Sequence, residues 1–259
     1  MHDDQASRRG TDEVDPHWYR DAFGALYPVL YAHRTVESAG PEARMAAEEL
    51  ALSGRENLLD LACGNGRHLV HLCQHAVCSV GLDYSPELLA LAAQNLRPGP
   101  AVLLTRGDMR AIPFYEVFDA VTSFFTSFGY FSSDEENGQV AKEVARVLRP
   151  GGRFFVDYLN REWVAATLEP ESVRSEQGYV IAETRWIDAE MRRVNKCIEV
   201  SRDGQAVTEL AESVRLYTQE ELTGLLAAAG LRVDRVYGGY GREPFGSASP
   251  RMILIGKKA

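Results

Sequence analysis

Between residues 57 and 160 the chain alternates short, nearly unbroken apolar runs with longer stretches where apolar residues return every three or four positions. The runs are "NLLDLA" (57–62), "VCSVGLD" (77–83), "AVLLTRGD" (101–108), "VFDAVTSFF" (117–125) and "GRFFVDYL" (152–159). Such short, continuous runs fit strands buried on both faces of a parallel sheet. The periodic stretches between them predict helices over 65–75, 85–96 and 134–149. "SPELLALAAQNL" carries its own start signal, with Ser85 as N-cap, Pro86 at the first helical position and Glu87 in the first turn. Strands and helices in this alternation predict an α/β sheet with right-handed crossovers.

From 161 to 216 the pattern changes. "YVIAETRWIDAEMRRVNKCIEVSRDGQAVTELAESVRLY" alternates polar and apolar residues and holds a turn signal at "RDGQ" (202–205). It predicts antiparallel strands inserted into the topology of the sheet. "TQEELTGLLAAAG" then predicts a capped helix from Thr218 to a stop at Gly230, followed by strands near 231–240 and 251–257. The expected organisation is a tail over 1–16, an N-terminal helical lid over 17–56, a core from 57–160 and 217–259, and the inserted β segment over 161–216.

Composition narrows the class. A chain of 259 residues, 45% hydrophobic and 25% charged, suits one large soluble domain or one domain with an insertion. No apolar run approaches the ~20 residues that cross a bilayer, and "MHDDQASRRGTDEVDP" lacks the apolar centre of a signal peptide. The four cysteines (Cys63, Cys73, Cys78, Cys197) form no CxxC pair, which points to a reduced, cytoplasmic protein. A net charge of −9 disfavours sequence-blind binding to nucleic acid.

The chemistry concentrates where the first strand runs into "ACGNGRH". Gly64 and Gly66 fall at the carboxyl end of that strand, where open α/β sheets bind ligands. Asp83 ends the second strand nineteen positions after Gly64, placed to accept both hydroxyl hydrogens of a ribose. "RGDM" (106–109) makes a third polar strand end. A dinucleotide fingerprint needs a third glycine where this chain has Leu69, and no P-loop pattern occurs. No cation cluster for a pyrophosphate is visible in the sequence, so the expected ligand is an adenosine without phosphates.

"LDLACGNG", the acid of "VGLDYS", "RGDMRAIPF" and "VLRPGGRFFV" resemble, in order from Leu58 to Val156, the motifs of class I S-adenosylmethionine-dependent methyltransferases. The resemblance implies a Rossmann-like, seven-stranded, mostly parallel sheet with helices on both faces and the last strand antiparallel. It implies S-adenosylmethionine as cofactor, with Asp60 and the backbone of Ala62, Cys63 and Gly64 at the methionine amino group. It gives Gly66 the role of bare backbone against the ligand, Asp83 the ribose, Tyr84 the adenine face, Asp108 the adenine amino group and the Met109 N–H a ring acceptor. Asp108 has a plainer alternative as a turn-stabilising aspartate. The segment "HWYRDAFGALYPVLYAHR" resembles the lid of glycine N-methyltransferase-like and amino-sugar N-methylating enzymes, which implies Tyr27 at the methionine end and Arg34 on its carboxylate. The alternative for Tyr19, Phe23, Tyr27 and Tyr31 is a helical stripe facing the core.

The acceptor is read from what surrounds these motifs. Tyr19, Tyr27, Phe125 and Tyr130 are the candidates for positioning it, with Ser127 beside them. Phe124 is read as a cofactor contact, and both Phe124 and Phe128 have the alternative of core. Asn160 and Trp163 are expected at the far wall, with Tyr240, Arg242 and Arg251 at the mouth; Arg251 has the alternative of a structural ion pair. No histidine follows His75 to deprotonate a hydroxyl acceptor. His71 and His75 are four apart on one expected helix, yet no acid accompanies them, so no metal site is expected. The [ND]PPY pattern of base-methylating enzymes is absent. The expectation is methyl transfer to a small-molecule amine, as in enzymes that tailor antibiotics. O- or C-methylation and a non-catalytic S-adenosylmethionine-binding regulator are the alternatives. Nucleic acid and membrane are not expected partners, and self-association is left open.

Overall fold

The aromatic N-terminal segment is not one helix. In the computed structural model, which describes residues 14–97, 99 and 101–259, a single 3₁₀ turn at Trp18–Arg20 leads through turns to α1 (Tyr27–Leu30) and α2 (Val36–Glu49). Pro28 lacks an N–H and is favoured in the first turn of a helix, which is where it stands in α1. α2 starts at a Thr35–Ser38 capping box and buries Ala39, Ala43, Met45, Ala46 and Ala47. Of the tail expected over 1–16, residues 1–13 lie outside the described residues, while Val14 packs against the core.

Next come β1 (Asn57–Leu61), α3 (Leu69–Leu72), β2 (Cys78–Asp83), α4 (Pro86–Asn95), β3 (Ala101–Arg106), β4 (Phe118–Ser123), α5 (Asp134–Val147) and β5 (Leu148–Leu159). The helix expected over 65–75 is only the short α3 with a 3₁₀ turn behind it, because residues 65–68 belong to the glycine turn. α6 (Arg161–Thr167), the strands β6 (Glu171–Glu176), β7 (Tyr179–Asp188), β8 (Arg193–Arg202) and β9 (Gln205–Arg215), then α7 (Gln219–Ala228), β10 (Leu231–Tyr237) and β11 (Arg251–Lys258) complete the chain.

The strands form a seven-stranded sheet in the order β10-β11-β5-β4-β1-β2-β3, parallel except for β11, which runs antiparallel to β5 and β10. The expected Rossmann-like fold is present. β1 pairs with β2 on one side and β4 on the other, so the strand order reverses beside it and opens a crevice at its carboxyl end. Leu58, Leu59, Phe154, Phe155 and Ile253, all fully buried, fill the layers above and below.

The insertion does not join this sheet. β6 to β9 make a separate four-stranded antiparallel sheet. Its buried Ile181, Ile198 and Val200 pack on Leu30 and Tyr31, so the half-apolar pattern of the strands covers the N-terminal segment. The expected "RDGQ" turn closes β8 on β9, with Asp203 and Gly204 at positive φ (52° and 76°). α7 has the expected Thr218 cap, completed by Glu221, and Gly230 follows it at φ 85°. No helix among the described residues is long and apolar enough to cross a membrane.

Candidate functional site

β1 delivers the chain into a turn that few side chains tolerate. Ala62, Gly64 and Gly66 have φ of 57°, 55° and 74°. At Ala62 the left-handed conformation is a strain of about 1–2 kcal/mol that glycine would not carry. A side chain on Gly64 would project toward open space, with Leu88 the nearest neighbour at 3.9 Å. Gly66 does not line the cleft described below. A Cβ there would stand 3.0 Å from the Ala92 Cβ of α4, so its bareness serves helix packing rather than the expected ligand contact.

Two buried carboxylates flank the turn. Asp83 Oδ2 accepts the Gly64 N–H at 2.7 Å and Oδ1 accepts the Ser85 N–H at 2.9 Å. Each oxygen keeps a further lone pair. Burial pushes its carboxyl up against the opposing pull of those backbone bonds. Asp60, 1% exposed, accepts from Thr122 Oγ1 at 2.8 Å through Oδ1, while its Oδ2 has no partner among the described residues. Burial raises its pKa to about 7, with the Asp83 charge adding and the Thr122 bond opposing. Asp60 lies in β1 and is not part of the cleft surface.

The cleft itself, about 870 Å³, brings together most of the expected residues. Its floor is Ala62, Gly64, Asp83, Tyr84, Asp108 and Met109; its walls carry Tyr19, Tyr27 and Arg34 on one side and Phe124, Phe125, Ser127 and Tyr130 on the other. Asp108 is gripped by Arg110, with Nη2 to Oδ2 at 2.6 Å and Nε to Oδ1 at 3.1 Å. Burial works against ionisation there, but the Arg110 bonds and charge together hold the carboxyl below its usual range. Arg110 also donates to the Tyr19 hydroxyl at 3.2 Å, tying the N-terminal segment to the third strand end.

The Phe wall is a strained turn held by one buried acid. Phe125 and Thr126 have φ of 53° and 62°. Asp157 accepts the Phe125 N–H (2.8 Å) and the Tyr240 hydroxyl (2.8 Å) at Oδ2, and Arg251 Nε (2.6 Å) at Oδ1. Arg251 reaches on to Thr126 Oγ1 at 2.9 Å. Arg251 is therefore the structural ion pair, and Tyr240 and Arg251 act behind the mouth rather than in it. Asn160 is 1% exposed and donates to the carbonyls of Gly246 and Ser249; Trp163 lies on the surface; Arg242 pairs with Glu48 and Glu49. None of these three lines the cleft, contrary to expectation. Phe128 is core, against Tyr217.

Three charged or titratable groups were not foreseen as a unit. Arg67 and His68, both 5% exposed, line the cleft and share Glu42 of α2, at 3.3 and 2.7 Å from its Oε2. The His68 ring stacks on Phe124 with centroids 3.9 Å apart and 6° between planes. Burial, with the Arg67 charge, pushes its pKa well below the ordinary value and keeps the ring neutral. The two residues directly follow the glycine turn, a usable hint; Glu42 offers none. Nor did the sequence reveal that Arg67, Arg34 and Arg251 gather 4.2, 5.2 and 5.4 Å from the Phe125 ring centroid. Of these, Arg34 alone makes no ion pair among the described residues, and its buried Nε has no partner. His71 meets the Val36 carbonyl at 2.8 Å and His75 is exposed.

Residues 58–152 match a family described as "Methyltransferase domain". The chain is 31% identical over 192 residues to the dTDP-3-amino-3,4,6-trideoxy-alpha-D-glucopyranose N,N-dimethyltransferase of Streptomyces venezuelae, spanning 71% of this chain and 78% of that protein. It is 32% identical over 218 residues to the dTDP-3-amino-3,6-dideoxy-alpha-D-glucopyranose N,N-dimethyltransferase of Streptomyces fradiae, spanning 76% and 80%. The crystal structure of Streptomyces venezuelae DesVI aligns with a TM-score of 0.67 at 27% identity, over 96% of this chain and 100% of that one.

Proposed function

We propose, for a chain that belongs to the S-adenosylmethionine-dependent methyltransferases, an acceptor of one kind: the amine nitrogen of a small molecule made in natural-product biosynthesis. The observation that carries this reading is the likeness, over most of the chain, to two N,N-dimethyltransferases of amino sugars.

The residues present fit the cofactor. Its amino-acid end bears one ammonium and one carboxylate, and the unpartnered polar atoms include one buried carboxylate oxygen on Asp60 and one buried guanidinium nitrogen on Arg34. In this reading Asp60 and the turn backbone from Ala62 to Gly64 take the ammonium, and Arg34 with Tyr27 takes the carboxylate. Asp83 holds the ribose hydroxyls through its free lone pairs, Tyr84 covers the adenine, and Asp108 and the Met109 N–H read its edge. The segment 17–56 closes over these groups as a lid.

When bound, S-adenosylmethionine would supply a methyl group on a sulfonium, to whose carbon the acceptor's lone pair would bond as the C–S bond breaks and its electron pair stays on sulfur. The protein's part is alignment and exclusion of water, worth on the order of 7–11 kcal/mol in the best intramolecular cases. Tyr27, Phe125 and Tyr130 confine the amine, and their ring faces favour neighbouring positive charge. An amine attacks once its ammonium has lost a proton to solvent at the cleft mouth, so it needs no dedicated base. Activity should climb with pH through the acceptor's own pKa.

One observation favours a second reading. Neutral His68, with Nε2 turned to Glu42, keeps an Nδ1 lone pair that would serve a hydroxyl acceptor. Purified protein given S-adenosylmethionine and a panel of matched amino and hydroxyl sugars separates the two: methylation confined to oxygen rejects the amine assignment. Tyr27→Phe should slow turnover about 10-fold and weaken cofactor binding by about threefold, because the lost hydroxyl both helps hold the carboxylate and orients the reacting groups. All four cysteines are unpaired, which supports placing the enzyme in the reducing cytoplasm.

A further inference from the structure

A second, wider cleft of about 1260 Å³ adjoins the first and shares Tyr130 with it. It lies between the start of the described chain and the β7–β8 end of the small sheet, with Trp18 and Trp186 among its lining. Its charges are one-sided. Asp15, Asp188 and Glu190 line it against one cation, Arg193.

That cation is spent. Arg193 is 7% exposed; Nε donates to Ser213 Oγ at 2.7 Å and Nη1 to the Phe131 carbonyl at 2.9 Å. Nη2 donates to the Ser213 and Tyr130 carbonyls at 2.8 and 3.1 Å. Glu190, by contrast, makes no ion pair among the described residues. Trp18 is 5% exposed, yet its Nε1–H has no acceptor there. A buried donor without a partner is a cost that a ligand oxygen can relieve.

We infer that the acceptor enters through this second cleft as a free cationic amine bearing hydroxyl or carbonyl oxygens, and not joined to a nucleoside diphosphate. This rests on the amine reading above. A diphosphate calls for uncommitted arginine or lysine forks, and this cleft sets three carboxylates against it instead. Repulsion between like charges selects against the wrong ligand as effectively as attraction selects the right one. Trp18 and Trp186 add ring faces suited to an ammonium. The two relatives are named for dTDP-linked sugars, so the inference separates this chain from them.

The test is calorimetry of the full chain saturated with S-adenosylhomocysteine. The probes are 3-amino-3-deoxyglucose, its thymidine-diphosphate conjugate, and thymidine diphosphate alone. The free amino sugar should bind at least 10-fold tighter than the conjugate, weaken as salt is raised, and face no competition from thymidine diphosphate. An Asp188→Asn/Glu190→Gln double variant should lose about 10-fold in amino-sugar affinity and most of the salt dependence, with cofactor affinity as a folding control. Saturable binding of thymidine diphosphate, tighter binding of the conjugate, no binding of the free amine, or an indifferent double variant would each overturn the inference. The companion turnover assay tells the two ideas apart. Oxygen methylation of a tightly bound free amino sugar sinks the amine reading alone, whereas nitrogen methylation favouring the conjugate sinks this one alone.

Discussion

The floor and the wall of the first cleft are built differently. The floor comes from 62–109, where three successive strand ends meet because β1, β2 and β3 lie side by side in register. The wall joins the N-terminal segment to the end of β4, and its turn is held from behind by Asp157, whose partner Arg251 lies 94 residues further along. Their buried acids differ in the same way. Asp60 has an oxygen left over, while Asp157 is taken by Phe125, Tyr240 and Arg251. An acid saturated by its own chain fixes backbone; one left short of partners keeps acceptor capacity in reserve.

The sharpest way to break that contrast is at Asp157. Asp157→Ala leaves Arg251 charged and the strained Phe125–Thr126 turn without its clamp. A loss of about 3–5 kcal/mol in urea-measured stability is expected, and an unchanged stability would show that the wall is not held in this way.

Asp60 should behave oppositely, through pH. Its folded pKa of about 7 stands above the ordinary 3.8, so between those values the native state keeps a proton that the unfolded chain has released. Stability from this group is therefore fully present in acid and falls as pH rises toward 7, by up to about 4 kcal/mol. Stability curves of wild type and Asp60→Asn measured from pH 4 to 8 should diverge across that window, and saturation with cofactor should shrink the divergence.

Asp83→Ala removes a carboxylate that orders the glycine turn and, in the proposed reading, binds the ribose. Cofactor dissociation should rise about 100-fold by calorimetry, close to 3 kcal/mol for two charge-assisted hydrogen bonds. A change below threefold would detach the floor from the nucleoside. The smallest effect is expected at Ala62. Ala62→Gly relieves a left-handed alanine but enlarges the unfolded ensemble, for a net gain of up to about 1 kcal/mol, readable as a modest rise in Tm.

Legibility followed the same division. The floor residues were readable because each sits at a strand end marked by glycine, aspartate or a cap, and parallel pairing of neighbouring strands places such ends together. The exception is instructive: Gly66 belongs to the motif, but its missing side chain makes room for Ala92. At the wall, the periodicity of Tyr19, Phe23, Tyr27 and Tyr31 implied a helix, but the segment holds only a 3₁₀ turn and the short α1, with turns between them. Asn160 and Trp163, expected at the far wall, and Arg242, expected at the mouth, lie outside the cleft lining because a loop's direction after a strand is decided by what it packs on. The insertion read correctly as antiparallel strands, but a half-apolar strand pattern states only that one face is covered, not by what.

By itself, then, the chain's order of residues settled the α/β alternation, the hairpin at Asp203–Gly204, the capped helix after Thr218 and the glycine turn that follows the first strand. These depend on near neighbours, whose geometry follows from backbone sterics and burial period. Tertiary structure alone decided the Asp157 clamp, the His68–Glu42 pair, the three arginines around Phe125 and the acidic second cleft. Each joins groups from distant parts of the chain, and in such pairs burial and charge acquire meaning only after the sheet and its insertion have packed against one another.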